Sequence, residues 1–392
     1  TEIYTLSLHD ALPISIAMRG LQLGTYDNNI TTSVEMFTGY IQIQDKEFRD
    51  NQSLSKSFVL TDTLKKALDE TKGIKAYTTR IYSGGLIGKN HGTSQGCMIF
   101  GIEPEQEKKV SKIAGRVNAG SYLRKDSMYD IVVGCKILDN ISAKIGDEVV
   151  ILSSGYDGST GNLKFRIAGT TKMGSTEMDG MMVLMNIEAA KELLAMEGRI
   201  NVVALNIAGL GDLEKAKAGL ENSIQDTSLA VLDWAELMPD IQQSIEMDNI
   251  SGIITLGMLI IIVAFGILNT VLMSVTERFR EFGVMLALGT KNSRLAIIIF
   301  FETIFLVIIG LVLGNLFGLG LNYYIVKNPI YFSGDFAKMY EEFGFMPAMF
   351  SSLDASIFVS TSITIIIIAL LVFIYPAYRL FKLESLKGIR YT

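Results

Sequence analysis

The stretch Ile253–Gly289 reads IITLGMLIIIVAFGILNTVLMSVTERFREFGVMLALG, and it decides the class of the fold. Its first part, Ile253–Met273, carries no charge and is long enough to cross a hydrocarbon layer of about 30 Å as a helix of roughly 20 residues. The charged sequence TERFREF follows at once, with no proline or loop signal between the two parts. The pattern predicts a membrane helix that continues directly into a charged amphipathic helix on one side of the bilayer.

Apolar residues are distributed unevenly along the chain. Of its 392 residues 49% are apolar and 19% are charged, and the net charge is −6. Up to about residue 249 charges recur every few positions, as in a soluble domain, whereas long apolar runs follow from Ile250. A soluble part of roughly 200 residues is large enough to hold its own core. The negative charge and the lack of a basic stripe with interleaved aromatic residues exclude nucleic acid as a partner.

The soluble part, residues 16–249, shows strand and helix patterns in a mixed order that predicts an α+β domain. Alternation and short apolar runs predict strands at 40–44, 74–82, 97–102, 129–133, 148–152, 163–168, 181–185, 202–207 and 229–232. Caps and 3.6-residue periodicity predict helices at 61–71, 104–115, 136–143, 187–196 and 212–224. Residues 234–249, interrupted by Pro239, are predicted to be a helical stalk that leads into the membrane.

The sequence shows no motif that is typical of a catalytic or metal-binding site. The two histidines are His91 and His9, and His9 falls in an N-terminal segment interpreted below as non-native, so a multi-histidine metal site is not predicted. The sequence GLIGK at 85–89 lacks the glycine spacing and the following Ser or Thr of a phosphate loop, so a hairpin loop is predicted there. We therefore predict no catalytic residue, no metal site and no cofactor in this chain. Glu103, Glu105, Glu107, Lys108 and Lys109 are interpreted as a solvated helix face.

The two cysteines, Cys97 and Cys135, both lie in strand-like apolar surroundings. If the domain lies outside the cytoplasm, a disulfide between them is possible. The same pattern fits two buried free thiols equally well.

Three apolar runs predict membrane spans at about 253–275, 295–321 and 357–375. The second contains one charge, Glu302, for which a structural role near the interface and a functional role both stay open. Glycines recur in it every four residues, a spacing that permits close helix packing: Gly310, Gly314 and Gly318.

The distribution of basic residues predicts the orientation of the spans. The link 276–294 carries Arg278, Arg280, Lys291 and Arg294, and the tail carries Arg379, Lys382, Lys387 and Arg390. Both should be cytoplasmic. The segment 322–355 should then be external, and the first run must travel inward from a soluble domain that lies outside.

The N-terminal sequence Tyr4–Ile14, YTLSLHDALPI, resembles the translation of a common sequencing-adapter oligonucleotide. We interpret residues 1–15 as a non-native segment; a short native amphipathic segment is the alternative. A domain exported to the outside also needs a preceding span. We therefore expect a fourth, N-terminal span that this segment has replaced.

The charged sequence after the first run carries a family resemblance. Glu277–Gly289 contains the pattern ER-x-RE-x-G-x-x-x-A-L-G, and the tail contains a Pro-Ala pair at 376–377 and an Arg-Tyr pair at 390–391. With the large outside domain, these motifs resemble the FtsX-like family of ABC transporter permeases. The chain looks most like the lipoprotein-releasing LolC/LolE type, with the macrolide-exporter MacB type as a relative. The Ser-Leu-Lys-Gly sequence at 385–388 departs mildly from the family's closing pattern.

The resemblance implies a membrane protein: an α-helical transmembrane bundle with a large α+β extracytoplasmic domain similar to the periplasmic core of MacB. In such a bacterial inner-membrane protein the C-terminus is cytoplasmic, residues 250–392 form the permease domain, and 276–290 form a helix that couples to a separate ABC ATPase holding ATP and Mg²⁺. The coupling residues that it implies are Glu277, Arg278, Phe279, Arg280, Glu281, Phe282, Gly283, Met285, Leu286 and Gly289. Glu277, Arg280 and Glu281 would form exposed ion pairs, and the apolar stripe Phe279, Phe282, Met285 and Leu286 would fill a groove on the ATPase.

The implied function is lipoprotein release from the inner membrane, with the lipid membrane and a second permease, identical or different, as partners. A lipoprotein or a periplasmic adaptor is a further partner class that stays open. Two alternatives remain beside lipoprotein release. One is macrolide or peptide efflux, and the other is an FtsX-like signalling permease that regulates an extracytoplasmic partner.

Overall fold

The computed structural model describes residues 2–89, 93–174, 176–342 and 347–381. The chain divides into two compact units. The helical unit comprises Thr1–Asn28, Gln243–Phe332 and Ala348–Thr392, and the sheet unit comprises Asn29–Gln242 and Ser333–Pro347. Residues 16–28 and 243–249, predicted as part of the soluble domain, therefore lie in the helical unit.

The helices of the described residues are, in chain order, α1 (Glu2–Ser33), α2 (Asp62–Glu70), α3 (Pro104–Val110), α4 (Cys135–Asn140), α5 (Thr176–Met181), α6 (Ile187–Leu194), α7 (Leu213–Ser223), α8 (Trp234–Leu237), α9 (Pro239–Glu277), α10 (Phe279–Ala287), α11 (Asn292–Lys327), α12 (Asp335–Glu342) and α13 (Ala355–Phe381). A π-helical turn follows α1 at Val34–Thr38, and 3-10 turns lie at Ile113–Arg116 and Leu210–Asp212.

The strands are β1 (Ile41–Asp45), β2 (Ile74–Gly88), β3 (Ser94–Ile102), β4 (Val117–Gly120), β5 (Asp130–Gly134), β6 (Glu148–Ser154), β7 (Thr160–Thr171), β8 (Met182–Asn186), β9 (Val202–Ile207), β10 (Leu229–Asp233), β11 (Ile330–Tyr331) and β12 (Ala348–Met349).

The sheet unit is built on one ten-stranded mixed sheet with the order β10-β1-β9-β2-β3-β8-β5-β7-β4, and β6 pairs with β2 and β7. The β3–β8 and β5–β7 pairs are parallel and the other pairs are antiparallel. Strand β1, which follows α1, lies beside β10, which precedes α8, with Ile41 opposite Asp233. The chain therefore arrives at and leaves this sheet on two neighbouring strands.

The core of the sheet unit comes from the central strands, whose side chains are buried on both faces, as the continuous burial of β5 and β8 shows. A cluster around Phe100, Val132 and Leu184 packs against Phe37 of the π-helical turn. Each fully buried side chain of this kind stabilises the fold by roughly 1.5–3 kcal/mol. The α+β class predicted for this part of the chain is confirmed.

Local sequence signals predicted several elements correctly. Thr61 caps α2 by accepting a hydrogen bond from the Leu64 amide at 3.2 Å, and Gly73 after the helix has a φ of +96°. Strand β9 has the predicted bounds, and Pro239 separates α8 from α9. Strand β4 and helix α5 were not predicted.

Three predictions for the sheet unit are wrong. The hairpin loop at 85–89 is in fact the end of β2, because Leu86 and Ile87 pair with β3 on one side and β6 on the other. The helix that opens at Pro104 ends at Val110 rather than near Gly115, where a 3-10 turn follows. The acidic and basic side chains of that helix are not all solvated, since Glu107 is fully buried.

The helical unit contains α10, α11 and α13, residues 2–28 of α1, residues 243–277 of α9, and the short β11–β12 pair. Three helices among the described residues are long and apolar enough to cross a membrane: Pro239–Glu277, Asn292–Lys327 and Ala355–Tyr378. They agree with the three predicted spans. Their outward side chains are largely apolar, with Phe265, Phe301 and Phe317 each about two-thirds exposed, as expected for surfaces that face lipid or another chain.

Residues 2–15, interpreted as non-native, form the first half of α1. Leu12 in this segment and Ile16 just after it are fully buried in a cluster with Ile357 and Ile365 of α13. The foreign origin of residues 1–15 stays a prediction.

Candidate coupling segment

The coupling segment begins with a break in the helix. α9 ends at Glu277, and Arg278 has a φ of −101° and a ψ of 14°, outside the α-helical region, before α10 starts at Phe279. The membrane helix is thus followed by the charged helix after a break of one residue. The sequence contains no proline or glycine at this point, so no local signal marks the break.

The apolar side of α10 packs inside the helical unit. Phe282 is 2% exposed and lies in a cluster with Val275, Leu295 and Ile299. Three partly buried side chains of the same stripe pack against that cluster: Phe279, Met285 and Leu286. Gly283 is also buried. The prediction that the stripe fills a groove on another protein is wrong for Phe282, because the stripe is already covered by α9 and α11.

The opposite side of α10 is open. Its exposed residues combine charges with apolar side chains: Glu277, Arg280, Glu281, Val284, Ala287 and Leu288. Leu288 is 81% exposed and Val284 is 47% exposed. Within the described part of the chain no ion pair joins Glu277, Arg280 and Glu281 to one another. The charged groups on this face are accordingly available to a partner.

Gly289 ends α10 in a geometry that requires it. Its φ is +92°, which side-chain-bearing residues rarely adopt. The Gly289 amide donates to the Leu286 carbonyl and the Thr290 amide donates to the Met285 carbonyl, both at 3.0 Å. These two bonds form a Schellman motif, which satisfies the last carbonyls of the helix. Gly289 is thus a structural residue of the segment.

An ion pair ties the break to the next span. Arg278 Nη1 lies 3.1 Å from Glu302 Oε2 on α11, and the Ser274 hydroxyl donates to Glu302 Oε1 at 3.2 Å. Glu302, whose role the sequence left open, therefore connects the end of α9, the break and α11. The sequence did not reveal this pair because Arg278 and Glu302 are distant along the chain and lie in different elements.

The glycine stripe of α11 packs on α1. Gly310, Gly314 and Gly318 are all buried. A Cβ on Gly318 would lie 2.7 Å from Ile16 Cγ2, and a Cβ on Gly314 would overlap Leu12. One turn further on, Asn322 Nδ2 donates to the Ile16 carbonyl at 3.3 Å. Helix α1 therefore packs closely against α11 at Gly314 and Gly318.

A catalytic or metal centre is not evident among the described residues, in which no group of three or more His, Cys, Asp and Glu side chains could hold a metal ion. His91 and the basic tail residues Lys382, Lys387 and Arg390 lie outside the described residues. Cys97 and Cys135 are both free thiols, so the disulfide alternative is not adopted. Burial raises the pKa of Cys97 to about 12, which makes it unreactive at neutral pH.

These features occur in a segment that matches a known family. Residues 253–385, which include the break, α10 and the glycine stripe, match the FtsX-like permease C-terminal family. Residues 253–385 are an FtsX-like permease domain. The predicted FtsX-like permease domain is confirmed, and it includes the stretch Ile253–Gly289.

The chain that contains this domain is similar to several ABC transporter proteins. It is 22% identical to the lipoprotein-releasing system transmembrane protein LolC of Neisseria meningitidis, over 95% of this chain and 89% of that protein. It is 25% identical to an uncharacterized ABC transporter permease of Methanocaldococcus jannaschii, over 65% of this chain, and it spans 64% of that relative's length. The macrolide export ATP-binding/permease protein MacB of Acinetobacter baylyi is 35% identical over 23% of this chain and 15% of its own.

Proposed function

We propose that this FtsX-like chain is the permease subunit of an ATP-driven ABC transporter of a bacterial inner membrane. A separate ATPase subunit binds the exposed face of α10 in the cytoplasm and supplies ATP and Mg²⁺. The sheet unit lies outside the cytoplasm and moves when ATP is hydrolysed. The chain itself performs no chemistry in this scheme.

The observation that carries the proposal is the two-sided packing of α10. One side is fixed by Phe282 within the helical unit, and the other presents Glu281, Val284 and Leu288 to solvent. A partner that displaces α10 must therefore displace α9 and α11 as well. Mixed charged and apolar groups on a short helix are a common docking surface for a groove on another protein.

The orientation follows from the positive-inside rule. Arg278, Arg280, Lys291 and Arg294 lie between or next to the first two spans, which favours a cytoplasmic link. Labelling of single cysteines in intact cells tests this. Ser159→Cys, in an exposed loop of the sheet unit, should react with an impermeant reagent, and Leu288→Cys should react only after the membrane is opened. The reverse pattern would overturn the orientation.

Lipoproteins are the cargo that we favour. The supporting observation is coverage: the similarity to a lipoprotein-releasing protein extends over 95% of this chain, including the sheet unit. Macrolide or peptide efflux is the second candidate, supported by the higher identity of 35% to MacB over a short region. The exposed apolar faces of α9, α11 and α13 leave room for lipid and for a second permease, identical or different.

The proposal is tested by producing the full-length chain together with an ABC ATPase subunit from the same genome and purifying the chain. A stable complex whose ATPase rate depends on the permease supports the function, and the absence of any complex contradicts it. Cargo is then distinguished in cells depleted of the chain. Lipoproteins retained in the inner membrane indicate release, macrolide sensitivity indicates efflux, and altered cell-wall hydrolysis without either indicates signalling.

A further inference from the structure

Among the described residues of the sheet unit, one ion pair is fully buried. Arg80 of β2 and Glu107 of α3 both have side chains that are 0% exposed. The guanidinium donates two parallel bonds to the carboxylate, Nε to Oε2 at 3.0 Å and Nη2 to Oε1 at 2.7 Å. The Ser111 hydroxyl also bonds Glu107. Burial by itself would lower the pKa of Arg80, but the nearby Glu107 carboxylate and Tyr82 hydroxyl outweigh it and the pKa is raised, so Arg80 is charged.

The remaining donor of Arg80 points to the segment by which the chain arrives. We define the inbound segment as residues 34–40, between α1 and β1. Arg80 Nη1 donates to the Thr38 carbonyl at 3.3 Å and to the Tyr82 hydroxyl at 3.0 Å. The guanidinium carbon lies 4.2 Å from the centre of the Phe37 ring. Arg80 therefore holds two consecutive residues of the inbound segment against the sheet.

The inbound segment in turn contacts the segment by which the chain leaves. We define the outbound segment as residues 233–238, from the end of β10 through α8 to Met238. The Thr38 hydroxyl donates to Met238 Sδ at 3.7 Å, and the Trp234 amide donates to the Tyr40 carbonyl at 3.1 Å. Met238 directly precedes α9. Thr38 is thus the residue at which Arg80, the inbound segment and the outbound segment meet.

A buried ion pair seldom stabilises a fold more than apolar side chains of the same size would, because both charges lose their hydration. Its geometric value is different: the planar guanidinium fixes the direction of several hydrogen bonds at once. Here those bonds join α3, β2 and the inbound segment. The pair is therefore better suited to keeping the inbound segment in place when the helices move than to adding stability.

We infer that Arg80 and Glu107 are positioning residues that tie the inbound and outbound segments to the sheet, so that movement of α1 and α9 carries the sheet with it. The inference rests on the proposed function, in which movement of the helices is driven by ATP. It assigns the transmission of that movement to one buried pair and to Thr38.

The test uses the full-length chain with its ATPase and the double variant Arg80→Met/Glu107→Leu, which replaces the pair with apolar side chains of similar size. The control is Arg166→Met/Asp130→Leu, which removes another two-bond pair of the sheet unit that touches neither segment. Should the double variant fail to fold, Arg80→Lys, which keeps the charge but lacks the planar fork, takes its place.

Hydrogen exchange provides the first readout. In the double variant the amides of Gly39 and Tyr40 should exchange about tenfold faster or more, because a charge-assisted anchor is lost, while β5 and β8 keep their protection. The control should leave Gly39 and Tyr40 unchanged. Unchanged exchange of both amides in the double variant would overturn the inference, since the segment would then be held without Arg80.

Distance measurements provide the second readout. Spin labels at Met247 on α9 and Ser159 in the sheet unit, in a Cys97→Ala/Cys135→Ser background, should show a shift in distance when ATP is trapped on the ATPase. The double variant should lose this shift while it still binds the ATPase. A shift equal to that of the unmodified chain would overturn the inference alone. No shift in the unmodified chain would overturn the proposed function and the inference with it.

Discussion

Arg278 and Glu302 form an ion pair of 3.1 Å that connects the break between α9 and α10 to the first third of α11. Because Ser274, on the last turns of α9, bonds the same carboxylate, one acidic side chain joins the end of α9, the break and α11. Displacement of α10 by a partner therefore acts on α9 and α11 through this carboxylate as well as through the packing around Phe282.

This pair should contribute measurably but modestly to stability. Both side chains are partly exposed, at 47% and 33%, so solvent screens the interaction. A double-mutant cycle with Arg278→Gln and Glu302→Gln, read from the free energy of unfolding in detergent, should give a coupling of about 0.5–1 kcal/mol. Effects that add to within about 0.3 kcal/mol would show that the two residues do not interact.

The glycine stripe should tolerate no methyl group where α1 approaches it. Gly318→Ala should lower the free energy of unfolding by about 1–3 kcal/mol, because the new Cβ would lie 2.7 Å from Ile16 Cγ2. Gly320→Ala is the matched control on the same helix, since its Cβ would meet nothing within 4 Å. It should be neutral or stabilising by up to about 1 kcal/mol, from helix propensity. Equal effects of the two substitutions would refute the packing of α1 on this stripe.

The two thiols should differ sharply in reactivity. Burial raises the pKa of Cys97 from 9.0 to about 12, so its thiolate is scarce between pH 7 and 9, whereas Cys135 is half-buried. A maleimide should label Cys135 and spare Cys97 until the chain unfolds. The neutral thiol is favoured in the folded state, so its contribution to stability is complete below pH 9 and is lost as the pH rises through about 12. Loss of both thiols in non-reducing conditions would instead show a disulfide.

Hydropathy and local capping predicted a large part of this fold. The three spans were found because an uninterrupted apolar run of sufficient length is a property of the sequence itself. Strand β9 and helix α2 were found for a similar reason, since alternation and the Thr61 cap are local signals. The glycine stripe predicted a close contact from spacing alone.

What the sequence did not reveal depends on contacts between distant residues. The end of β2 looked like a glycine loop, and only pairing with two other strands keeps it extended. Glu107 of α3 looked solvated, and only its pairing with Arg80 of β2 explains its burial. In the same way, the periodicity of α10 revealed an apolar stripe, but not that α9 and α11 of the same chain cover it.

The exposed face of α10 is the most direct place to test the central claim, that an ATPase drives this permease through that helix. The measurement is the permease-dependent ATPase rate of the copurified complex carrying Glu281→Lys with Leu288→Asp. The control is Glu214→Lys, at an exposed position on α7 of the sheet unit. We predict that the double substitution abolishes copurification or the permease-dependent rate while the control retains both. A fully coupled complex with the double substitution would contradict the account.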